Sequence, residues 1–250
     1  MIRKLVYITL CCITVACDSE SANDCFQTAG ETMRLELPVE SFDRILVNDL
    51  IEMILIDGAA HSVVVETGAN LINDVEAQVI AGRLELTNNN TCNFVRDFGI
   101  TKIYVTAPNI TEIRSDTRFD IRSEGVLTYP QLVLFSETFN APETSAVGDF
   151  RLHVDNTRVR VVFNNLSNLF IEGRTDVLDV NFAAGNSRLE GERLEAQEVI
   201  VFHRGTNDMI VNPIRSLSGS IVSTGNVIAV NRPPTVAVEE LFRGRLIFLD

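Results

Sequence analysis

The chain has 250 residues, of which 46% are hydrophobic. That is enough apolar material for a sizeable core and excludes global disorder. Acidic residues outnumber basic ones by 34 to 21, giving a formal net charge of −13. So acidic a surface repels phosphate groups, and nucleic acid is therefore excluded as a partner.

The N-terminus has the layout of a secretory signal. Two basic residues precede an apolar run over residues 5–16, and polar residues follow directly after Cys17. The run is too short to cross a bilayer, which takes about 20 apolar residues. The tetrapeptide Thr14-Val15-Ala16-Cys17 resembles the bacterial lipobox, in which signal peptidase II cuts before the cysteine and the thiol carries a diacylglycerol. We predict a lipoprotein signal peptide over residues 1–16 and lipidation at Cys17; a plain signal peptide or a retained apolar strand are the alternatives.

Removal of the signal leaves an even number of thiols. Cys11 and Cys12 leave with residues 1–16 and Cys17 carries lipid, so only Cys25 and Cys92 of the five cysteines remain. In an oxidising compartment this predicts a disulfide between Cys25 and Cys92, with two unpaired structural cysteines as the alternative. Neither lies in a CxxC pair or has a His at ligand spacing, so we predict no metal site and no cofactor.

The mature chain divides into a tether and one domain. Residues 17–34 are polar and are predicted to form a lipid-anchored tether. From residue 35 onward apolar and polar residues alternate, with turn residues such as Asp57-Gly58 and Ala81-Gly82 between the segments, which predicts strands with one buried face. Weak helical patterns at 69–79, with Asn70 as N-cap, and at 236–242 are too short to connect an α/β sheet. Residues 35–250 are therefore predicted to be all-β.

In the second half of the chain, apolar segments recur about every ten residues, with centres near 152, 161, 171, 180, 189, 200 and 210. A hairpin sandwich or barrel suits this spacing, as does a parallel β-helix. Asn-rich corners favour the β-helix, because Asn tolerates left-handed backbone and can stack between coils. We predict a parallel β-helix, or solenoid, with about two short strands per coil of roughly 20 residues, placing Leu152 over Ile171 and Val161 over Val180.

Several segments occur in a characteristic order: Ser41-Phe42-Asp43-Arg44-Ile45, Val63-Val64-Val65-Glu66, Gly82-Arg83-Leu84-Glu85-Leu86, Ile103-Tyr104-Val105-Thr106-Ala107-Pro108, breaks at Gly148 and Gly225, and Gly244-Arg245-Leu246-Ile247-Phe248. In this order the chain resembles the putative auto-transporter adhesin, head GIN domain family of Bacteroidetes, over roughly residues 42–248. The resemblance implies a β-helix-like solenoid and, by the family's name, a conjectured adhesive role. It implies no catalytic residues.

Catalytic motifs are absent from the sequence, which has no Gly-x-Ser-x-Gly elbow, no His-Glu-x-x-His and no glycine-rich phosphate loop. His203 with Asp208 forms a candidate acid–base pair, although a corner hydrogen bond is the preferred interpretation. Carboxylate pairs such as Asp116/Asp120 and Asp176/Asp179 are interpreted as a solvated face.

We predict a non-enzymatic outer-membrane lipoprotein, on the cell surface or the periplasmic face. It would be an adhesin or a binding or structural module with an unknown protein or glycan ligand and a lipid anchor in the membrane. The alternative is a carbohydrate-active enzyme, like a polysaccharide lyase built on a β-helix. Only 7% of the residues are aromatic and none is Trp, which argues against the aromatic platforms of such an enzyme.

Overall fold

The computed structural model describes residues 24–97, 99–139 and 146–249. Cys17 and the predicted signal peptide lie outside these residues. Within them the protein is all-β: seventeen strands form one hydrogen-bonded sheet, and the helical structure consists of two short 3₁₀ helices, Asp24–Phe26 and Ile72–Asp74. No helix in the described ranges is both long enough and apolar enough to cross a membrane.

The first ten strands are short. They are β1 Thr32–Leu37, β2 Arg44–Val47, β3 Glu52–Asp57, β4 Ser62–Gly68, β5 Val75–Ile80, β6 Arg83–Asn88, β7 Lys102–Ala107, β8 Glu112–Ser115, β9 Ile121–Glu124 and β10 Gln131–Ser136. Strand β1 begins three residues before the predicted domain boundary at residue 35. β5 and β6 form an antiparallel hairpin whose turn residues, Ala81 and Gly82, have φ of 51° and 78°. Two successive positive φ angles are typical of the hairpin turn that matches strand twist.

Four long strands follow, each of 13 to 15 residues. They are β11 Phe150–Phe163, β12 Leu169–Phe182, β13 Leu189–His203 and β14 Met209–Ile221, and the chain ends with β15 Val227–Ala229, β16 Thr235–Glu240 and β17 Leu246–Phe248. Consecutive long strands pair in parallel. Leu152 lies opposite Ile171 and Val161 opposite Val180, as the sequence spacing predicts. A hairpin sandwich would instead pair these strands antiparallel.

The prediction of two short strands per coil is wrong for β11–β14. The apolar segments near residues 152 and 161 both lie in β11, and those near residues 171 and 180 both lie in β12, with Gly173 between them. Pairing continues through this point because Gly173, with φ of 104°, bends the strand without ending it. An ideal Cβ at Gly173 would lie 2.0 Å from the Val154 carbonyl oxygen, so only glycine fits this close approach.

Each long strand has two halves, and the two halves belong to two different series of paired strands. One series runs β1–β4–β7–β3–β9, continues through the first halves of β11–β14, and ends with β15–β17. The other runs β5–β6–β2–β8–β10, continues through the second halves, and ends with β16. Together they enclose one apolar core, in which every second side chain of a strand points inward.

Both helical patterns are overridden by strand pairing. Of residues 69–79 only Ile72–Asp74 is helical, as a 3₁₀ turn, and β5 begins directly after it. Asn70 does not cap that turn, because the N-cap position is Leu71 and no side chain caps it; Nδ2 of Asn70 instead donates to the Thr28 carbonyl oxygen at 3.1 Å. Residues 236–240 of the second pattern belong to β16, which pairs with β14. Short helical segments have little stability of their own, so hydrogen bonding to a neighbouring strand determines their secondary structure.

Asn and Asp side chains stack at one corner, as the sequence analysis expected. Asp149 Oδ1 accepts hydrogen bonds from the backbone N and the Nδ2 of Asn168, at 3.0 and 2.9 Å. Asn168 Oδ1 accepts in turn from the backbone N of Arg188 at 3.1 Å. Asp208 and Asn226 repeat this arrangement with bonds of 3.0 Å. Each of these side chains thus accepts a hydrogen bond from a backbone N–H in the turn before the next strand of the stack.

Candidate functional site

An open groove of about 270 Å³ lies across β11, β12 and β13 on the outer surface. The charged and ionisable side chains that line it are Arg151, His153, Glu172, Glu190, Glu192 and Arg193. Arg151, His153, Glu172 and Glu190 alternate along their strands with core residues such as Leu152 and Ile171, whereas Glu192 and Arg193 are adjacent residues of β13 that are both exposed.

A bulge in β13 accompanies the groove. On the β12 side, Gly191 and Glu192 both lie opposite Ile171. On the β14 side, residues 191–194 lie opposite Val211 alone. The extra residues cannot all join the ladder, so they interrupt the pairing and redirect the side chains around them. Such bulges are common next to binding sites.

Glu172 lies between an arginine and a histidine on the groove wall. Its Oε2 lies 2.9 Å from Nη2 of Arg193, and its Oε1 lies 4.0 Å from Nδ1 of His153. The Arg193 side chain is 76% exposed and the Glu172 side chain 39%. Exposed pairs of this kind contribute at most about 1 kcal/mol. A ligand can therefore replace either partner at little energetic cost.

Arg151 forms a rigid part of the same wall. Its Nε donates to Asp120 Oδ2 at 2.7 Å and its Nη2 to Asp149 Oδ2 at 3.1 Å. Its guanidinium carbon lies 4.1 Å from the centroid of the Phe170 ring, within range of a cation–π interaction. Three partners thus hold Arg151 in place, so this side of the groove is preorganised.

The groove offers donors and acceptors for hydrogen bonds. Ser123 Oγ accepts a hydrogen bond from the backbone N of His153 at 2.9 Å, so this hydroxyl supports the strand. The His153 side chain is 45% exposed, because it alternates along β11 with the buried Leu152 and Val154. Among residues 24–97, 99–139 and 146–249, no cluster of three or more His, Cys, Asp or Glu residues could hold a metal ion. The exposed guanidinium and carboxylates can donate to and accept from a polar ligand.

His203 and Asp208 do not form an acid–base pair. Nε2 of His203 hydrogen-bonds the Asn207 carbonyl oxygen at 2.8 Å, which is the expected corner hydrogen bond. The Asp208 carboxylate instead accepts from Asn226. His203 is fully buried, and this burial lowers the pKa of its imidazole. It is a core residue.

The carboxylate pairs singled out in the sequence are also dispersed. Asp120 binds Arg151, whereas Asp116 is largely buried. Asp179 lies 3.9 Å from Arg160 Nε, and Asp176 is exposed. Asp120, Asp176 and Asp179 are at least partly exposed, in keeping with the predicted solvated face, whereas the prediction is wrong for the buried Asp116.

The remaining sequence candidates lie at the N-terminal end. Cys25 and Cys92 are joined by a disulfide, with 4.5 Å between their Cα atoms and 67 residues between them in the chain. Cys17 lies outside the described residues.

Sequence reasoning missed the groove, although one signal was available. The apolar segments centred near residues 189 and 200 are more widely spaced than the other neighbouring pairs. This wider step corresponds to the extra residues of the β13 bulge. The bulge lies beside outward side chains of β12 and β11, which come about 20 and 40 positions earlier in the chain. No local sequence pattern connects these side chains with the bulge.

Comparison with known proteins identifies relatives. The family model described as "Putative auto-transporter adhesin, head GIN domain" matches residues 41–233. None of the curated proteins matches the chain in sequence.

Solved structures share the fold. A putative adhesin from Bacteroides fragilis superposes with a TM-score of 0.77 at 16% identity, covering 88% of this chain and 99% of that one. A putative adhesin from Parabacteroides merdae gives 0.60 at 13% identity, covering 89% and 98%. A putative lipid binding protein from Parabacteroides distasonis gives 0.57 at 13% identity, covering 88% and 98%. At such low identities these likenesses establish the fold alone.

Proposed function

Because the chain belongs to the putative auto-transporter adhesin, head GIN domain family, we propose that it is a non-enzymatic binding protein of the bacterial envelope. Its strands, which pair mainly in parallel, form a β-solenoid that presents a long outer face, and the groove at the β13 bulge contacts the ligand. The observation that carries this proposal is the groove itself, in which Arg151 is held by three partners while Arg193 remains open to solvent.

Two features support the solenoid. Consecutive strands β11–β14 pair in parallel, and inward residues such as Leu152 and Ile171 lie opposite each other one repeat apart. The corner side chains of Asp149 and Asn168 also bond from one repeat to the next. Both arrangements are characteristic of a chain that winds around its own core.

The envelope location rests on the N-terminal sequence. A basic start, an apolar run over residues 5–16 and an abrupt polar switch support lipidation at Cys17 and attachment to the outer membrane. Membership of a family described as putative adhesins agrees with a location in the cell envelope.

The ligand is polar, either a glycan or a protein segment. The groove offers guanidinium donors from Arg151 and Arg193 beside carboxylate acceptors from Glu172, Glu190 and Glu192. Mixed donors and acceptors match the hydroxyl and amide groups of such ligands. Shallow polar sites of this kind give specificity through several hydrogen bonds rather than through apolar burial.

The test is binding of the mature domain to arrays of glycans and peptides, with a matched pair of variants. Arg193→Glu reverses an exposed charge in the groove and places it beside Glu172, so binding should be lost. Arg174→Glu is the control, because Arg174 is 70% exposed and pairs with Asp155 outside the groove. Equal loss of binding in Arg193→Glu and Arg174→Glu would show that the groove is not the ligand-binding site. Release of an unsaturated uronate product from a polyuronate would instead favour the lyase alternative.

A further inference from the structure

Three apolar side chains are exposed together at the N-terminal end of the domain. Phe26, Phe94 and Val95 are 52%, 73% and 54% exposed. The rings of Phe26 and Phe94 lie 5.7 Å apart between centroids, although the residues come from separate loops. Neither ring belongs to the apolar core. We call these three residues the aromatic patch.

Covalent and hydrogen bonds hold the aromatic patch outward. The disulfide Cys25–Cys92 joins the two loops next to the rings, and the backbone N of Phe94 donates to the Cys25 carbonyl oxygen at 2.9 Å. Arg96 adds bonds to the carbonyl oxygens of Cys92 and Gln27, at 2.8 and 3.2 Å. Exposed apolar side chains on a braced framework indicate a contact surface, since exposure costs free energy in water.

The short segment between Cys17 and the aromatic patch limits how far the patch can lie from the proposed membrane anchor. Eight residues separate Cys17 from Cys25 (25 − 17). A fully extended chain spans at most about 3.5 Å per residue, so the patch lies within about 28 Å of the anchored Cys17. If Cys17 carries lipid, as proposed above, the patch is always within reach of the bilayer.

The net charge of the domain favours apolar rather than electrostatic contact with a membrane. Loss of Arg3 and Lys4 with the signal takes the net charge from −13 to −15 (−13 − 2). Attraction to anionic headgroups therefore cannot hold this domain against a membrane. Phe side chains, in contrast, gain free energy at the boundary between headgroups and acyl chains.

We propose that the aromatic patch docks on the lipid bilayer and orients the domain at the membrane; this inference rests on the proposed anchor at Cys17. The segment that carries Phe26 runs beside the end of β4, where the backbone N of Asn70 donates to the Ala29 carbonyl oxygen at 3.1 Å. Four strand-to-strand steps separate β4 from β11. At about 4.8 Å per step, docking places the groove about 19 Å further from the patch along the stack.

A fluorescence experiment tests the docking. The chain has no Trp, so Phe94→Trp introduces a single reporter in the patch. The chain from Cys17 onward, whose other two cysteines are paired, is coupled at Cys17 to a maleimide phospholipid in phosphatidylethanolamine–phosphatidylcholine vesicles with brominated acyl chains. Phe242→Trp is the matched control, because Phe242 is 56% exposed and follows β16 at the opposite end.

Docking predicts that Phe94→Trp emission shifts to the blue and is quenched by the brominated lipid, whereas Phe242→Trp emission is not. Adding Phe26→Ser to Phe94→Trp should lower the docked population by roughly tenfold, as expected for one half-buried Phe. Unquenched emission from tethered Phe94→Trp, or equal quenching of both reporters, would overturn the proposal. Because the coupling is chemical, quenching tests the patch whether or not cells lipidate Cys17, and palmitate labelling in cells tests the anchor separately.

Discussion

His203 lies opposite Phe182 in the sheet, and the two rings meet edge to face with their centroids 6.0 Å apart. Phe182 in turn stacks on Phe163 at 5.7 Å, with the ring planes 5° apart. An imidazole thus continues a column of aromatic rings inside the core. Nε2 of His203 has a partner in the Asn207 carbonyl oxygen, whereas Nδ1 has none among the described residues.

This position makes folding sensitive to acid. Burial lowers the pKa of His203 in the folded protein below its ordinary value near 6.5. As pH falls below about 6.5, the unfolded chain takes up a proton that the folded state refuses, so stability falls by up to about 1.4 kcal/mol per pH unit. Above that pH this contribution is fully present. Urea unfolding at pH 7.5 and 5.5 should therefore show a larger loss in the wild type than in His203→Phe or His203→Gln. Identical losses in all three proteins would show that His203 does not couple to pH.

The bend in β12 should depend on Gly173. Gly173→Ala combines a left-handed φ of 104° with a Cβ 2.0 Å from the Val154 carbonyl oxygen. We expect a cost of about 3 kcal/mol or more in the free energy of unfolding, since strain and overpacking add. Gly125→Ala is the control, because φ there is 82° but nothing lies within 4 Å of the Cβ. It should cost only about 1–2 kcal/mol. Denaturant melts that rank the two variants equally would contradict the close approach at Gly173.

Inward and outward positions of one strand should respond differently to charge. Val161 is fully buried, so Val161→Asp places an unpaired carboxylate in the core and should cost several kcal/mol. The neighbouring Arg160 is 54% exposed and only 3.9 Å from Asp179, so Arg160→Asp should cost under about 1 kcal/mol. Thermal unfolding of the two variants measures the difference. A large loss for Arg160→Asp would mean that this face is covered by a partner.

The Cys25–Cys92 disulfide should stabilise the domain against global unfolding. For a 67-residue separation the loop-entropy relation gives about 4 kcal/mol. The double variant Cys25→Ser/Cys92→Ser should therefore unfold at a lower temperature than the wild type. The reduced wild type should have the same stability as this double variant. Non-reducing peptide mapping should find the two cysteines joined. Titration of two free thiols after Cys25 and Cys92 have been unmasked by mild denaturation would count against the bond.

Lipidation at Cys17 is tested in cells. Cys17→Ser should abolish palmitate labelling and release the protein from the membrane fraction, because an acylated cysteine is the attachment point that we propose. Cys25→Ser should remain labelled and membrane-bound. Undiminished membrane partition of Cys17→Ser would refute the anchor. Protease shaving of intact cells then distinguishes the cell surface from the periplasmic face.

Particular residues show how far sequence reasoning reaches at the groove. The alternation of Leu152 with Arg151 and His153 predicts which side chains face solvent, because successive residues of a strand point to opposite faces. The predicted pairing of Leu152 with Ile171 also places Arg151 opposite Phe170 and His153 opposite Glu172. It does not predict that Arg193 reaches Glu172, because the β13 bulge shifts the register that brings these two residues together. Long-range register is a property of paired backbones and leaves only a faint trace in residue spacing.

Alternation and repeat length determined the all-β class from the amino-acid sequence alone. They also determined the inward positions and the pairing of Leu152 with Ile171 and of Val161 with Val180. These follow from the sequence because burial of every second side chain is a local requirement of each strand. Only the tertiary structure decided that Gly173 bends a continuous strand, that His203 completes an aromatic column, and that Phe26 and Phe94 meet at the surface. Each of these depends on how closely a distant part of the chain approaches, and that distance is set by the packing of the whole core.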